Sequence, residues 1–151
     1  MLVEIPAVSK LTQSIIRVLG LNPGPLTLQG TNTYILGTGS NRTLVDTGDG
    51  LSIDYIANLS NQMKEEKFTI SHIFITHWHL DHTGGVEKIK SLVEKNIPVY
   101  KFPEPNIDKK YGFNFLPLKN GDQFYIEGCG DMASDMILFK TFVNHIEWRN
   151  F

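Results

Sequence analysis

The stretch "ISHIFITHWHLDHTGG", Ile70 to Gly85, decides how this chain is interpreted. Its first part, Ile70 to Thr76, is short, β-branched and largely apolar, which predicts a strand buried on both faces. Four side chains of the kinds that bind divalent metal ions follow directly, namely His77, His79, Asp81 and His82. A buried strand that ends in such a cluster is typical of a metal site built at the edge of a sheet.

The spacing of these four residues favours two metal positions over one. Residues two apart in an extended segment point the same way, so His77 and His79 can converge on one ion. If a helix begins near Asp81, then Asp81 and His82 lie on its first turn and face a second position beside the first. Converging titratable groups of this kind mark functional sites, whereas the isolated His72 is interpreted as a surface or hydrogen-bonded residue.

Asp46, in "LVDTG", has two interpretations of equal weight. An Asp after a strand often caps a turn or a helix. The strand that ends at Asp46 could instead lie beside Ile70 to Thr76, and its carboxylate could then hold the second ring nitrogen of a ligand histidine. The sequence leaves this choice open.

Strands and helices alternate along the rest of the chain. "SIIRVLG" (Ser14 to Gly20) is typical of a strand, and "TNTYILG" and "RTLVDTG" predict a hairpin that turns at residues 38–41. Helical spacing predicts a helix over 51–66, and a second one after Gly85. The apolar residues assigned to these two helix faces are Ile53, Ile56, Leu59 and Met63, then Val86, Ile89, Leu92 and Val93. "NIPVYKF" then predicts an extended segment, and the alternation predicts an α/β layer.

Composition limits the class of protein. With 151 residues, 41% apolar and 20% charged, the chain has the composition of one globular domain. A formal charge of −2 gives no basic surface for indiscriminate phosphate binding, and the single Cys129 excludes an internal disulfide. No apolar run approaches the roughly 18 residues of a membrane-spanning helix, so no membrane role is expected.

The second part of the chain is less regular. Residues 102–119 predict a loop or insertion, and Lys119 to Gly128 contains an Asn-Gly turn and a strand. We divide the chain into residues 1–128 and an unassigned tail, 129–151, in which periodicity does not separate strand from helix.

The pattern His-x-His-x-Asp-His, as "HWHLDH", together with "LVDTG" resembles the metallo-β-lactamase fold superfamily of binuclear metal hydrolases. "NPGPLTLQGTNTYILGTG" and "ITHWHLDHTGG" look most like the animal β-lactamase-like protein 2 group, which are mitochondrial endoribonucleases acting on single-stranded RNA. The resemblance covers roughly Ile15 to Gly128. It implies an αββα sandwich of two similar halves, of which this chain supplies the N-terminal half only.

The resemblance also implies residue roles. His77 and His79 would bind a first Zn²⁺, and Asp81 and His82 a second. Asp81 would also position or accept a proton, and Asp46 would be the buried supporting carboxylate.

Three further ligands of that family, presented in turns of the kind "TPGHT", "SGD" and "PGHGP", have no counterpart in this sequence. His145 lacks the Pro-Gly turn that would present it, and Asp131 in "CGD" precedes any third histidine. The expectation is therefore a truncated or alternatively spliced form, with one bound ion or none and weak or no hydrolase activity.

Three other interpretations remain. The chain could be a non-catalytic form whose half-fold exposes an apolar face to a protein partner. It could be a thioester hydrolase of the glyoxalase II type. A structural zinc domain is less favoured, because such sites usually draw on two separated ligand pairs and on Cys. The resemblance implies the mitochondrial matrix, and the residues leave a cytoplasmic location open.

Overall fold

The structure, a computed structural model, describes residues 3–134. Its strands and helices alternate in the order that the sequence predicts. The elements in chain order are β1 (Val8–Thr12), β2 (Ile15–Leu19), β3 (Asn32–Leu36), β4 (Asn41–Val45), α1 (Ile53–Glu65), β5 (Thr69–Ile75), α2 (Leu80–Thr83), α3 (Val86–Val93), β6 (Val99–Lys101), α4 (Pro105–Asp108), β7 (Leu116–Pro117), β8 (Asp122–Ile126) and β9 (Gly130–Ser134).

Strands β1 to β7 form one mixed sheet in sequence order. β1 to β4 pair antiparallel, and the β3–β4 hairpin turns where the sequence predicts it. β4, β5, β6 and β7 then pair parallel, because α1 and α3 carry the chain back between them. The predicted α/β layer is confirmed, and it places the carboxyl ends of β4 and β5 side by side.

Two apolar clusters cover the two faces of this sheet. One face packs against α1 and α3, and its buried residues include Ile35, Leu59 and Ile89. The other face carries a second cluster that includes Phe74 and Ile126, the latter from the β8–β9 hairpin. Because β5 contributes to both clusters, it is buried on both faces, as predicted.

The predicted face of α1 needs one correction. Ile53 was assigned to the buried stripe, but it is 80% exposed, and Tyr55 is buried instead. Ile53 is the first residue of α1, and Ser52 caps that end by accepting a hydrogen bond from the Tyr55 backbone N–H. The Tyr55 hydroxyl reaches Thr33 under the sheet, so the stripe of α1 is rotated toward Tyr55 and Leu59. The α3 stripe is confirmed.

The N-terminal strand β1 was not predicted, since its five residues are only partly buried or exposed at the edge of the sheet. Among residues 3–134, no helix is long and apolar enough to pass through a lipid bilayer. The turn of the β8–β9 hairpin lies at the predicted division between residues 128 and 129. That division stays a prediction.

Candidate metal centre

The predicted cluster lies where β5 ends and the chain enters α2. β5 stops at Ile75, the chain bends at His77 and Trp78, His79 is again extended, and α2 begins at Leu80. The predicted helical turn is present, whereas the segment before it is not a straight continuation of the strand. His77 is half-buried, His79 is exposed, and Asp81 and His82 are partly covered.

The side chains meet in the two predicted pairs. His77 Nε2 lies 3.1 Å from His79 Nδ1. His82 Nε2 lies 3.1 Å from Asp81 Oδ2. The rings of His77 and His82 are in contact, with centroids 4.0 Å apart, so the two pairs lie next to each other.

These distances fit ligand pairs. Two donors on one tetrahedral zinc ion, each about 2.0 to 2.1 Å from it, lie roughly 3.3 Å from each other. In each pair, the atoms that approach are nitrogen or carboxylate oxygen, the donors that divalent ions such as zinc prefer. Within residues 3–134, however, no three such side chains meet in a geometry that could hold an ion. The division of the four side chains between two metal ions therefore stays a prediction.

Asp46 lies directly beneath this cluster. It follows β4, is 1% exposed, and accepts hydrogen bonds at Oδ1 from Thr76 N (2.8 Å) and at Oδ2 from Thr76 Oγ1 (2.7 Å). Its Oδ2 also lies 2.8 Å from His82 Nδ1. The backbone of Asp46 is left-handed, with φ of 61°, a conformation that Asp and Asn adopt more readily than most residues. The contacts show that Asp46 holds a ring nitrogen of His82, and the role of that histidine as a metal ligand stays a prediction.

The contacts of Asp46 determine where the ring protons lie. Because a carboxylate only accepts, a neutral His82 must carry its proton on Nδ1, which leaves the lone pair on Nε2. Thr76 donates its hydroxyl proton to Asp46, so the 2.9 Å contact between Thr76 Oγ1 and His77 Nδ1 must be donated by the ring. His77 therefore also carries its lone pair on Nε2. One buried carboxylate orients both rings, one of them through Thr76.

Asp81 and His82 also contact each other. A neutral His82 with its proton on Nδ1 brings the lone pair of Nε2 to within 3.1 Å of Asp81 Oδ2. Both atoms are donors of the kinds that divalent ions bind. Burial lowers the pKa of His77 to about 4, and the neighbouring His82 contributes to the lowering. A neutral His77 at pH 7 is the form that can bind a metal.

A glycine turn packs the segment that carries the histidine cluster against the loop after β4. Thr47 N and Oγ1 both donate to His82 O, at 2.9 and 2.8 Å, and Gly85 N donates to Gly48 O at 3.1 Å. A Cβ added at Gly85 would overlap the Thr47 carbonyl oxygen. Gly85 therefore lets its own backbone lie close to the loop that carries Asp46.

The remaining histidines and the tail are placed as follows. His72 is partly buried, 2.8 Å from Ser71 Oγ, and stacked on Tyr100, in agreement with the hydrogen-bonded role assigned to it. Asp131 lies in β9, opposite Tyr125, but its side chain lies outside what the structure describes, as does the whole of His145. Their contribution to metal binding stays a prediction.

Sequence reasoning missed two polar residues next to the cluster. Thr31, 5% exposed, donates from Oγ1 to Asp81 Oδ2 at 2.7 Å, and Asn22 contacts both the backbone and the hydroxyl of Thr31. Neither residue is a metal ligand type, and 50 positions separate Thr31 from Asp81. The sequence predicted Thr31 only as the first residue of a strand, which gives no signal for a contact with Asp81.

Comparison with known proteins agrees with this geometry. Residues 26–141 match the model of the metallo-beta-lactamase superfamily. The chain is 47% identical over 132 residues to the beta-lactamase-like protein 2 homolog of Drosophila melanogaster, covering 83% of this chain and 45% of that protein. It is 43% identical over 123 residues to an atrochrysone carboxyl ACP thioesterase of Cryptosporiopsis, covering 81% and 36% respectively.

A solved metallo-beta-lactamase from Pontibacter korlensis superposes with a TM-score of 0.64 at 21% identity, covering 80% of this chain and 56% of that one. The chain therefore belongs to the metallo-β-lactamase superfamily, and its fold is the N-terminal part of that α/β fold. It spans less than half the length of the curated relatives that it matches. Membership implies divalent metal binding in general.

Proposed function

We propose that this chain carries one half of a zinc-dependent hydrolase centre, with His77 and His79 as ligands of one ion and Asp81 and His82 as ligands of a second. The observation that carries the proposal is the buried Asp46, whose contacts leave the Nε2 lone pairs of His77 and His82 at the centre. Nitrogen and oxygen donors of this kind suit zinc.

A bound zinc ion supplies hydroxide at neutral pH by lowering the pKa of its water to about 7. The residues of this chain would orient the ligands of that ion and handle the proton of its water. Asp46 keeps the imidazoles correctly turned, and Asp81 either positions the attacking water or accepts its proton. His79, the exposed member, lies on the side open to solvent and to a substrate.

The activity of this chain by itself is expected to be weak or absent. Each donor pair leaves a tetrahedral ion two ligands short, and within residues 3–134 no third donor joins either pair. We propose that the missing ligands lie outside the described residues. A truncated or alternatively spliced form is the simplest explanation for their absence from the described part of the chain. One loosely held ion per chain, or none, is the expected occupancy.

The substrate that we propose is single-stranded RNA, in the mitochondrial matrix. The support is the likeness to the β-lactamase-like protein 2 group, which includes the Drosophila relative at 47% identity. In such a reaction, water would add to the phosphorus of a phosphodiester while one P–O ester bond breaks and its oxygen leaves as an alcohol. Positive charge held by His77, His79, Asp81 and His82 would stabilise the developing negative charge.

A thioester substrate is the second candidate, because a specific observation favours it. The three segments that build the site, 20–34, 46–56 and 76–86, contain no Lys or Arg, and the exposed side chains around them include Leu26, Leu28 and Trp78. A polyanion such as RNA is normally held by cationic side chains. The relative from Cryptosporiopsis is named as a thioesterase.

Metal content per chain, measured by elemental analysis after dialysis, tests the metal site. We expect at most one weakly held zinc ion in the unmodified chain and a further loss in His79→Ala. His72→Ala is the matched control, since His72 lies away from the cluster and contacts Ser71 and Tyr100. About two tightly held ions would show that ligands outside residues 3–134 complete both sites.

Turnover of single-stranded RNA and of an acyl thioester, each with and without a chelator, separates the two substrates. Chelator-sensitive turnover of either one would refute the expected lack of activity and identify the substrate class. The further alternative, a non-catalytic form that binds a protein partner, predicts an additional complex in size-exclusion chromatography, and a clean monomer would count against it.

A further inference from the structure

The carboxylate of Asp81 is held by a chain of hydrogen bonds that starts in a distant loop. Asn22 Nδ2 donates to Thr31 Oγ1 at 3.2 Å, and Thr31 Oγ1 donates to Asp81 Oδ2 at 2.7 Å. We propose that Thr31, kept in place by Asn22, is a positioning residue that fixes the Asp81 carboxylate for metal binding. This inference rests on the proposed function, since it assigns a partner to one of the proposed ligands.

The direction of the second hydrogen bond follows from chemistry. A carboxylate oxygen accepts only, so the proton between Thr31 and Asp81 must come from Thr31. That bond occupies one lone pair of Oδ2, and the same oxygen faces His82 Nε2 at 3.1 Å. The remaining acceptor capacity of the carboxylate is thereby aimed at the place that we assign to a metal ion.

Asn22 makes Thr31 a directed donor. Asn22 Oδ1 accepts from Thr31 N at 2.8 Å while Asn22 Nδ2 donates to the Thr31 hydroxyl oxygen. Because that donation occupies a lone pair of Oγ1, the hydroxyl proton is left for Asp81. The Thr31 carbonyl is also bonded, to Gly20 N at 2.7 Å, so the residue is held on both sides of its backbone.

Asp81 needs such a partner because its own element does little to fix it. α2 has only four residues, and the Asp81 side chain remains 28% exposed. A carboxylate on one exposed helical turn samples several rotamers, and ordering it on metal binding costs conformational entropy. A bond of 2.7 Å from a residue that is itself 5% exposed removes that cost before the metal arrives.

The first experiment is metal-free and examines the Asp81 rotamer directly. Three-bond couplings of Asp81 Cγ to the backbone N and C′ are measured by NMR at pH 8 in the unmodified chain, Thr31→Ser and Thr31→Val. We expect one dominant rotamer in the first two proteins and averaged couplings in Thr31→Val. Thr33→Val is the matched control, because its buried hydroxyl lies only two residues away, in β3, but contacts Val18 and Tyr55 instead.

A second variant covers the case in which Thr31→Val does not fold. Asn22→Asp is nearly isosteric and still accepts from Thr31 N, but its second oxygen competes with Asp81 for the Thr31 hydroxyl proton. Averaged Asp81 couplings in Asn22→Asp support the inference. Averaged couplings in the unmodified chain, or unchanged couplings in a folded Thr31→Val or Asn22→Asp, overturn it.

The second experiment measures Co²⁺ affinity by titration of the visible absorption that the ion acquires on binding. We expect Thr31→Val to bind Co²⁺ about 10- to 100-fold more weakly, as for other residues that support a ligand, and Thr31→Ser to restore most of the loss. Equal affinities in a folded Thr31→Val overturn the metal-positioning role. If the unmodified chain binds no Co²⁺, the occupancy is the lower of the two that the proposed function allows, and the role of Thr31 is then decided by the couplings alone.

Discussion

Replacement of Asp46 by Asn should reverse the ring protons of two proposed ligands at once. Asn keeps the size of the side chain and tolerates the left-handed backbone, with φ of 61°, nearly as well as Asp. If its carbonyl oxygen keeps the bond from Thr76 N, its NH₂ group takes the place of Oδ2. An NH₂ group donates, so it can accept neither the Thr76 hydroxyl proton nor the His82 Nδ1 proton.

Both rings then change tautomer. Thr76 Oγ1 would accept from Asn and turn its own proton to His77 Nδ1, 2.9 Å away. His82 Nδ1, at 2.8 Å in the unmodified chain, would become an acceptor. Each neutral ring then carries its proton on Nε2, the atom that faces the proposed metal position. A protonated Nε2 has no lone pair to bind with, so metal affinity should fall by about 10- to 100-fold or more.

The stability cost can be worked from the same three bonds. A hydrogen bond to a charged group contributes about 1.5 to 3 kcal/mol and a neutral one about 0.5 to 1.5 kcal/mol. The loss of roughly 1 kcal/mol at each of three bonds predicts a decrease of about 3 kcal/mol in the free energy of unfolding. That is a large share of the 5 to 15 kcal/mol that stabilises a typical domain.

Long-range ¹⁵N–¹H NMR of the metal-free protein reports the protonated nitrogen of each ring, and urea unfolding reports the free energy. Asp49→Asn is the matched control, since Asp49 makes a single exposed hydrogen bond, to Leu51 N. It should leave both tautomers and the stability nearly unchanged. If His77 and His82 keep their protons on Nδ1 in folded Asp46→Asn, then Asp46 does not determine their orientation and the reasoning is wrong.

Three further predictions concern stability. Burial lowers the pKa of His77 from its ordinary 6.5 to about 4. Between these two pH values, the metal-free folded state therefore binds fewer protons than the unfolded state. The free energy of unfolding should fall as the pH drops through that range, and it should fall less in His77→Gln. Gly85→Ala should cost about 1 to 3 kcal/mol or more, because the new methyl group overlaps the Thr47 carbonyl. Lys101→Met should cost about 3 to 5 kcal/mol, because Lys101 is 1% exposed and leaves Asp108, 2.9 Å away, as an unpaired charge.

Urea unfolding measures all three, and the chain offers a control for each substitution. Gly112→Ala should change nothing, since a Cβ there would have no neighbour within 4 Å. Lys90→Met removes a pair with the exposed Glu87 and should cost well under 1 kcal/mol. His72→Gln controls for the loss of a partly buried ring. A stability curve for His77→Gln that keeps its full slope, or losses no larger than those of the controls, would contradict the corresponding prediction.

The sequence predicted those features that depend on local patterns. The β3–β4 hairpin, the buried β5 and the apolar stripe of α3 each follow from period and turn composition, and the structure contains all three. The structure also brings the four candidate ligands close together, as expected for residues so near in sequence, while their division into two ligand pairs stays a prediction. The sequence did not identify any further donor that would complete a metal site.

Features that depend on tertiary contacts were missed or misplaced. The stripe of α1 turns toward Tyr55 because the Tyr55 hydroxyl finds Thr33 on another element, and spacing alone cannot report that contact. The choice between two roles for Asp46 needed the distance to His82, 36 positions away. Thr31 had no signal, since a threonine at the start of a predicted strand is common and its link to Asp81 exists only in the fold.

The residues that orient the two histidine rings are held by the sheet, so the orientation of the rings does not depend on how many metal ligands the chain supplies. Asp46 follows β4 and Thr76 follows β5, adjacent parallel strands whose pairing does not involve the donor side chains. The rings of His77 and His82 are therefore oriented by the sheet before any ion binds, and weak binding would come from too few donors rather than from disorder. A small chelating anion that contributes two donors of its own should then raise the affinity for Co²⁺ in the unmodified chain. The same anion should help Asp46→Asn much less, because in that variant the donors present are turned the wrong way.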